Sequence, residues 1–267
     1  MLPTLHSIHL YPIKSTLGHP VSQAVVQTQG LAFDREFMLT EPNGKFISAR
    51  KEAALYHFSA FPVPFGLYIK HNDGSRLVVN YRDFIQSQDC EVWGTEFASF
   101  VAADEINRWF SEKVGRNVQL RWLGEQSRRR IKRFPDNPLS FADGYPLLLT
   151  NTKSLEALQN HCPHPIKMAQ FRPNIVIEGN APFEEQQWDK IQIGEVMFLH
   201  TKLCERCVLT TRNPDNNELH PQMEPFRTLK KVNPNEEGKP IFGINLLPLN
   251  SGIIRVEDKV NILFYRT

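Results

Sequence analysis

Residues 203–211 read LCERCVLTT and contain two of the chain's four cysteines, Cys204 and Cys207, separated by two residues. Arg206 directly precedes Cys207, and the β-prone residues that follow predict a strand that gives way to the polar, turn-rich segment 212–217. A nearby cation generally lowers the pKa of a thiol, and the thiolate is both a nucleophile and a metal ligand. The stretch therefore predicts a candidate site at a strand–loop junction.

Other interpretations of the cysteine pair remain open at this point. A structural zinc site usually needs a second pair or two histidines at set spacing, whereas Cys90 and Cys162 are single, although His161 and His164 flank Cys162. A thioredoxin-type redox pair opens a helix, and this pair instead runs into β-branched residues. Alternatively, both thiols are small hydrophobic side chains in a core.

The composition is that of an ordinary folded protein, with 267 residues, 41% hydrophobic and 22% charged. This length allows one large domain or two small ones. A net charge of only +2 gives the whole molecule no strong attraction to nucleic acid or membranes. The sequence contains no apolar run of the ~20 residues needed for a membrane span, and it begins without the features of a signal peptide. Four cysteines do not make a disulfide framework, so we expect a reducing, cytoplasmic location.

Short strands dominate the expected secondary structure. Residues 5–13 alternate as a half-buried strand, and Asn43-Gly44 and residues 72–75 are typical of hairpin turns. Up to about residue 95 the pattern predicts antiparallel strands that form half of a barrel or sandwich. With 19 prolines and few helical stretches, the chain is predicted to be β-rich, mainly an antiparallel β-barrel with a few helices.

Three helices are expected among these strands. The clearest spans residues 99–115, with Ser99 as its cap and Gly115 as its end. Asn151 is expected to cap a second helix that runs to about Asn160, and residues 224–232 predict a short third one.

Two charged segments each have two interpretations. The run RRRIKR at residues 128–133 is either a solvated, mobile loop or a clamp for a polyanion, because arginine forks match phosphate geometry. Arg172 and Asn174 bracket Pro173, which places both side chains on a stiff extended segment that is either an edge-strand turn or part of a ligand site.

Several polar groups fall at predicted strand ends, and strand ends from distant parts of a barrel converge at one mouth. They are Lys14-Ser15, Arg35, Arg172 with Asn174, and Arg206-Cys207. Cations suit phosphate, and a thiolate selects soft or borderline metals. The residues themselves therefore indicate a phosphate-bearing cofactor with a thiolate-ligated centre.

Five motifs in order make the chain resemble the MOSC-domain molybdenum-cofactor proteins, within them the YcbX branch and the mitochondrial amidoxime-reducing components. The resemblance extends from about residue 5 to about residue 263. The motifs are YPIKS (11–15), DREF (34–37), FADGYP (141–146), FRPN (171–174) and RCVLTT (206–211).

This resemblance implies a MOSC N-terminal β-barrel-like domain at residues 1–97 and a MOSC barrel at residues 98–267 that binds a molybdopterin-type cofactor. It implies that Cys207 ligates molybdenum and is the catalytic residue. The residues implied to bind the cofactor are Lys14, Ser15, Arg35, Thr150, Arg172, Asn174, Arg206 and Asn245. Of these, Lys14, Ser15, Arg35, Arg172 and Asn174 are implied to hold the pterin and its phosphate. The resemblance assigns no role to Cys204, which is expected to be structural or peripheral, and Asp215 is a weaker candidate near the open metal position.

The activity implied by the resemblance is reduction of N-hydroxylated compounds such as amidoximes, hydroxylamines and N-hydroxylated bases. Some YcbX-type proteins continue into a ferredoxin domain that this sequence lacks, so its electrons are expected from a separate flavoprotein or ferredoxin-like protein. In addition, Val256-Glu257-Asp258 replaces the usual Val-Gly-Asp, and a positive φ at Glu257 would cost up to ~1 kcal/mol.

Three rival functions stay open. The first is a sulfur carrier, because MOSC domains also terminate cofactor sulfurases, although the pyridoxal-phosphate half of those proteins is absent from this sequence. The second is a molybdenum-cofactor carrier without turnover. The third is a nucleic-acid-binding barrel that uses residues 128–133, which lack interleaved aromatic residues, so nucleic acid and membranes are not the expected partners.

Overall fold

The computed structural model describes residues 2–266 and is built mainly of β-strands. This confirms the β-rich fold class. Its strands are β1 (Thr4–Leu10), β2 (His19–Val21), β3 (Gln23–Gln27), β4 (Gly30–Leu31), β5 (Phe37–Thr40), β6 (Phe58–Val63), β7 (Gly66–His71), β8 (Arg76–Asn80), β9 (Phe84–Val92), β10 (Thr95–Ala102), β11 (Gln119–Trp122), β12 (Arg130–Ile131), β13 (Phe134–Pro138), β14 (Leu147–Asn151), β15 (Ile175–Glu178), β16 (Trp188–Ile193), β17 (Val196–Glu205), β18 (Ile241–Pro248), β19 (Gly252–Arg255) and β20 (Val260–Tyr265). The α-helices are α1 (Asp104–Val114), α2 (Thr152–Gln159) and α3 (Phe226–Val232).

The chain divides into two compact units. The amino-terminal unit comprises Leu10–His19 and Phe33–Gly144, and the carboxy-terminal unit comprises the residues up to His9, Pro20–Ala32, and the chain from Tyr145 onward. Both units are therefore discontinuous in sequence. The expected domain limits at residues 97 and 98 stay a prediction.

The carboxy-terminal unit is organised on an eight-stranded sheet with the order β2-β1-β15-β14-β18-β17-β16-β20. Neighbouring strands β14 and β15 are parallel because α2 connects them, whereas β14 and β17 each pair with β18 antiparallel. A small core of Leu158, Phe171, Leu229 and Phe242 lies beside this sheet, and the rings of Phe171 and Phe242 stack at 3.9 Å. This core fixes the segment that precedes Arg172.

The amino-terminal unit contains three smaller sheets, with the orders β5-β11-β10-β9, β6-β7-β8 and β12-β13. One of its buried clusters comprises Met38, Cys90, Val92, Phe97, Leu123 and Phe141. The thiol of Cys90 donates to the Phe97 carbonyl at 3.3 Å, so this cysteine is a core residue. Phe141 places the FADGYP motif against this core.

The sequence located the helices but misplaced two of their starts. Helix α1 begins at Asp104, and Ser99 lies inside β10, because the pairing of β10 with β9 continues to Ala102 and keeps the backbone extended. Gly115 ends α1 in the left-handed conformation, as predicted. Helix α3 begins at Phe226, after the Glu224-Pro225 bond, rather than at Glu224.

Two local predictions about caps and turns are confirmed. The side chain of Asn151 accepts a hydrogen bond from Lys153 N at 3.0 Å at the start of α2. Residues 72–75 connect β7 to β8.

Glu257 adopts a φ of 77°, the positive value at which a glutamate is less favourable than glycine.

Glu185 is a fully buried carboxyl group of the carboxy-terminal unit. It accepts hydrogen bonds from Asn151 Nδ2 at 3.3 Å and from Ser154 Oγ at 3.1 Å. Burial raises the pKa of Glu185 from 4.5 to about 7. Because the unfolded chain ionises first as the pH rises, the folded state loses stability between about pH 4.5 and pH 7.

We therefore expect Glu185→Gln, which is neutral at every pH, to remove this loss. Its free energy of unfolding should exceed that of the wild type by an amount that grows by about 3 kcal/mol from pH 4 to pH 8. Urea denaturation across this pH range measures the difference, with the exposed Glu178→Gln as the control. Wild-type and Glu185→Gln stabilities that change in parallel with pH would contradict the assignment.

Candidate functional site

Cys207 lies where β17 has ended and a turn begins. Its backbone is extended, and the residues after it, Val208–Thr211, form a 3-10 helix rather than the predicted strand. The reason is local, because Thr210 Oγ1 donates to the Cys207 carbonyl at 3.0 Å and Thr211 Oγ1 donates to the Val208 carbonyl at 2.7 Å. Threonine hydroxyls that bond the backbone in this way compete with strand pairing. The thiol is partly exposed and is free of a disulfide.

Arg206 connects the cysteine segment to the FRPN motif. Its Nη2 donates to the Phe171 carbonyl at 2.7 Å, and its Nη1 lies 2.8 Å from Cys204 Sγ. Cys204 is therefore one contact of the Arg206 guanidinium. The remaining guanidinium nitrogen, Nε, is buried and has no hydrogen-bond partner among residues 2–266.

Arg172 does not have the extended backbone that the following proline predicts. A 3-10 helix, Met168–Phe171, ends at Arg172, which adopts the left-handed conformation with φ 54° and ψ 47°. Such a conformation in a residue other than glycine is stored strain, and strain of this kind clusters at ligand sites. The Arg172 side chain is partly exposed.

Asn174 is 1% exposed and is tied to two strands of the sheet. Its Oδ1 accepts from Leu148 N at 3.3 Å, and its Nδ2 donates to the His9 carbonyl at 3.3 Å. Backbone bonds link the same residues, from Asn174 N to the Leu148 carbonyl and from His9 N to the Asn174 carbonyl. Asn174 thus holds the FRPN turn against β1 and β14.

Thr150 and Asn245 lie on the paired strands β14 and β18. Thr150 is fully buried, with its Oγ1 3.2 Å from Met168 Sδ. Asn245 is half-buried, and its Nδ2 donates to the Lys202 carbonyl on β17 at 3.3 Å. In this arrangement both side chains bond to neighbouring protein atoms.

Gln170 is a contributor that the sequence did not single out. Its Oε1 accepts from Lys167 N at 2.7 Å, and its Nε2 donates to the Thr210 carbonyl at 2.9 Å. The amide thereby joins the turn before Arg172 to the turn after Cys207. A cavity of about 300 Å³ borders both turns, and its lining includes Gln170, Thr211, His164 and His220.

In the amino-terminal unit, Lys14 and Arg35 meet the backbone of one residue, Phe141. Lys14 Nζ donates to the Phe141 carbonyl at 2.7 Å, and Phe141 N donates to the Arg35 carbonyl at 2.9 Å. Lys14 also forms an ion pair with Asp143, which belongs to the same motif. Burial lowers the pKa of Lys14, which is 5% exposed, and the coulombic attraction of Asp143 opposes that shift.

Ser15 and Arg35 share the left-handed backbone seen at Arg172, with φ values of 68° and 51°. The Arg35 guanidinium lies 4.2 Å from the ring centre of Tyr11 and donates to Asp34 at 2.6 Å. Lys14 and Arg35 are thus linked through the backbone of Phe141, and Ser15 directly follows Lys14 in the chain. Sequence patterns carry no direct signal for this backbone strain, because φ depends on the surrounding structure.

The described part of the chain contains neither a cluster of metal-binding side chains nor a membrane-spanning helix. Between residues 2 and 266, no three histidine, cysteine, aspartate or glutamate side chains converge as a metal site. Over the same residues, no helix is both long enough and apolar enough to cross a bilayer.

Comparisons with known proteins cover almost the whole chain. Residues 2–117 match the MOSC N-terminal beta barrel domain, and residues 136–261 match the MOSC domain. Mitochondrial amidoxime reducing component 2 of Macaca fascicularis is 31% identical, and that of Homo sapiens is 30% identical; each alignment covers 96% of this chain and 82% of the relative. Molybdenum cofactor sulfurase of Oryza sativa subsp. japonica is 29% identical over 91% of this chain and 32% of its own length.

These matches fall on the residues whose geometry is described above, from the Lys14 network to the Cys207 turn. They confirm the resemblance that the five sequence motifs indicated. The chain belongs to the family of MOSC-domain proteins with a MOSC N-terminal β-barrel domain, and it is a distant homologue of the mitochondrial amidoxime-reducing components.

Proposed function

We propose that the protein is a molybdenum-cofactor-dependent reductase of N-hydroxylated compounds, with the Cys207 thiolate as the protein ligand of molybdenum. The observation that carries this proposal is the placement of Cys207, a partly exposed free thiol at the end of β17. Its backbone carbonyl accepts from both Thr210 N and Thr210 Oγ1. These two hydrogen bonds hold the backbone of Cys207 in place. Its thiolate is therefore suited to be the one protein ligand of a metal.

The carboxy-terminal unit offers groups that fit a polar, anionic cofactor. The buried Nε of Arg206 has no hydrogen-bond partner among the described residues, and a buried donor of this kind calls for an acceptor. Arg172 adds a second cation on a strained backbone. Because fewer than three metal-binding side chains converge within residues 2–266, a cofactor that supplies its own sulfur ligands suits this thiol better than a bare ion does.

The proposed roles divide between the two units. In the carboxy-terminal unit, Arg172 and Arg206 would hold the cofactor by charge, while Thr150, Asn174 and Asn245 would shape its surroundings. In the amino-terminal unit, Lys14, Ser15 and Arg35 would bind phosphate, for which the ammonium and guanidinium groups are suited. These assignments rest on the motif match, residue by residue.

The overall reaction consumes two electrons and two protons for each N–O bond broken. An R–NH–OH substrate is reduced to R–NH₂, and the oxygen leaves as water. When bound, the molybdenum cofactor would supply the two-electron centre for this step. The protein's own residues would hold the cofactor and the substrate, and a separate flavoprotein or ferredoxin-like protein would deliver the electrons in the cytoplasm.

A second candidate function is a carrier of the cofactor or of its sulfur, without reductase turnover. The match to a molybdenum cofactor sulfurase over 91% of this chain favours it. A carrier would bind cofactor and fail to reduce an amidoxime with any electron donor. Turnover with a chemical reductant would therefore decide between the two functions.

We expect Cys207→Ser to lose molybdenum, because a serine hydroxyl is not a thiolate ligand. Molybdenum and pterin contents, measured on wild type and variant purified from a host rich in cofactor, test this. Circular dichroism should show an unchanged fold, and Cys162→Ser serves as the control at another free thiol. Equal molybdenum in wild type and Cys207→Ser would contradict the assignment, and a metal-free wild type would contradict the proposed function.

Removal of the Arg206 guanidinium should loosen the connection between the Cys207 and Arg172 segments. We expect Arg206→Met to lower the free energy of unfolding by about 1–3 kcal/mol, because the Phe171 carbonyl loses a charged donor. Arg206→Lys should restore only part of the lost stability, since one ammonium group cannot replace the guanidinium contacts to both the Phe171 carbonyl and Cys204 Sγ.

Urea denaturation measures this effect, and molybdenum content provides a second readout. The control is Lys202→Met, which removes a surface ion pair with Glu205 and should change stability by less than about 1 kcal/mol. If Arg206→Met were no more destabilising than Lys202→Met, the connecting role of Arg206 would be wrong.

A further inference from the structure

The arginine-rich run of the amino-terminal unit is an ordered hairpin, formed by β12 and β13. Burial alternates along it, so that Arg129 and Ile131 are buried, while the other cationic side chains are exposed. The exposed cations are Arg128, Arg130, Lys132 and Arg133. We call residues 127–138 the basic hairpin.

Arg129 anchors the basic hairpin. Its guanidinium donates to the carbonyls of Ser140 at 3.0 Å and Asp143 at 2.8 Å, and also to that of Ala142. Leu139 N in turn donates to the Arg129 carbonyl at 3.0 Å. Burial lowers the pKa of Arg129 to about 10, so the side chain is still charged at neutral pH. The segment is therefore a paired hairpin with one buried arginine and four exposed cations.

Positive charge is concentrated on the exposed side of the hairpin. The four exposed cations face two exposed carboxylates in residues 125–136, Glu125 and Asp136, which leaves a local excess of two positive charges. Within residues 2–266, no carboxylate lies at ion-pair distance from Arg128, Arg130 or Lys132. Such a patch attracts and steers acidic partners.

The base of the basic hairpin is connected through Asp143 to Lys14, a residue of the proposed cofactor site. Arg129 donates to the backbone of Asp143, and the side chain of Asp143 pairs with Lys14. Trp93 Nε1 donates to the same carboxylate at 3.1 Å. One residue therefore separates the base of the basic hairpin from the ammonium group assigned to the cofactor.

We propose that the basic hairpin is the docking surface for a small acidic electron-transfer protein. This inference rests on the proposed function, which needs two electrons from outside for each N–O bond reduced. The donor is oxidised by two electrons in total, and the protons for water formation come from solvent. Nucleic acid is the less suitable occupant, because the hairpin's one aromatic ring, Phe134, is half-buried with the Arg133 guanidinium 5.9 Å from its centre.

The test neutralises three exposed cations of the hairpin, in the triple variant Arg128→Gln, Lys132→Gln and Arg133→Gln. Arg130 is retained because its guanidinium donates to the Ser127 carbonyl at 2.7 Å and supports the hairpin. The matched control changes the same amount of charge elsewhere, at three exposed residues on α3. It is the triple variant Arg227→Gln, Lys230→Gln and Lys231→Gln.

Two acidic proteins serve as probes, a reduced flavodoxin and a reduced plant-type ferredoxin. Stopped-flow measurements would give the second-order rate constant at which each holoprotein oxidises each probe in the presence of excess amidoxime. At low ionic strength we expect the hairpin variant to be about tenfold slower than wild type with at least one probe, and the control variant to be close to wild type. The difference should vanish near 1 M salt, where the screening length is about 3 Å.

Molybdenum content and turnover with photoreduced riboflavin, a small donor that needs no docking surface, should be equal in all three proteins. A wild type without metal or without this turnover would contradict the proposed function. Equal rates with the acidic probes in wild type and hairpin variant, or equal losses in both triple variants, would overturn the docking inference alone. Tighter binding of a single-stranded RNA than of either probe, lost in the hairpin variant, would also overturn it.

Discussion

The hydrogen bond from Arg206 to the Phe171 carbonyl joins segments 35 residues apart and sets the arrangement of the candidate site in the carboxy-terminal unit. Each end is next to a residue with a proposed role, Cys207 on one side and Arg172 on the other. The Phe171 ring is held in turn by its stack on Phe242, so the connection is fixed to the core. The Arg206 side chain thus connects the buried core to two partly exposed residues, Cys207 and Arg172.

Other irregular segments of this unit are fixed in a similar way, by polar side chains that bond to the backbone. Thr210 and Thr211 close the turn after Cys207, Gln170 joins that turn to the one before Arg172, and Asn174 bonds two strands at once. Backbone groups outside helices and sheets need such partners when they are buried. Some polar residues implied to contact the cofactor are therefore also part of the framework that shapes its surroundings.

Buried cations play the corresponding part in the amino-terminal unit. Lys14 and Arg129 are almost fully buried, and both donate to main-chain carbonyls between Ser140 and Asp143. Burying a charge is costly unless hydrogen bonds satisfy it, and these carbonyls do so. The FADGYP motif is therefore an acceptor for two cations, which explains physically why the basic hairpin and the YPIKS motif meet at Asp143.

The sequence by itself determined the β-rich class, the end of α1 at Gly115, the cap of α2 at Asn151 and, through five ordered motifs, the MOSC family. These depend on local propensities or on residue identity, which sequence states directly. Only the tertiary structure decided that β10 continues past Ser99, that Thr210 and Thr211 turn the chain after Cys207, and that Arg206 bonds to Phe171 and Cys204. Strand pairing, left-handed backbones such as that of Arg172, and the partner of a guanidinium depend on residues distant along the chain, and sequence spacing does not specify them.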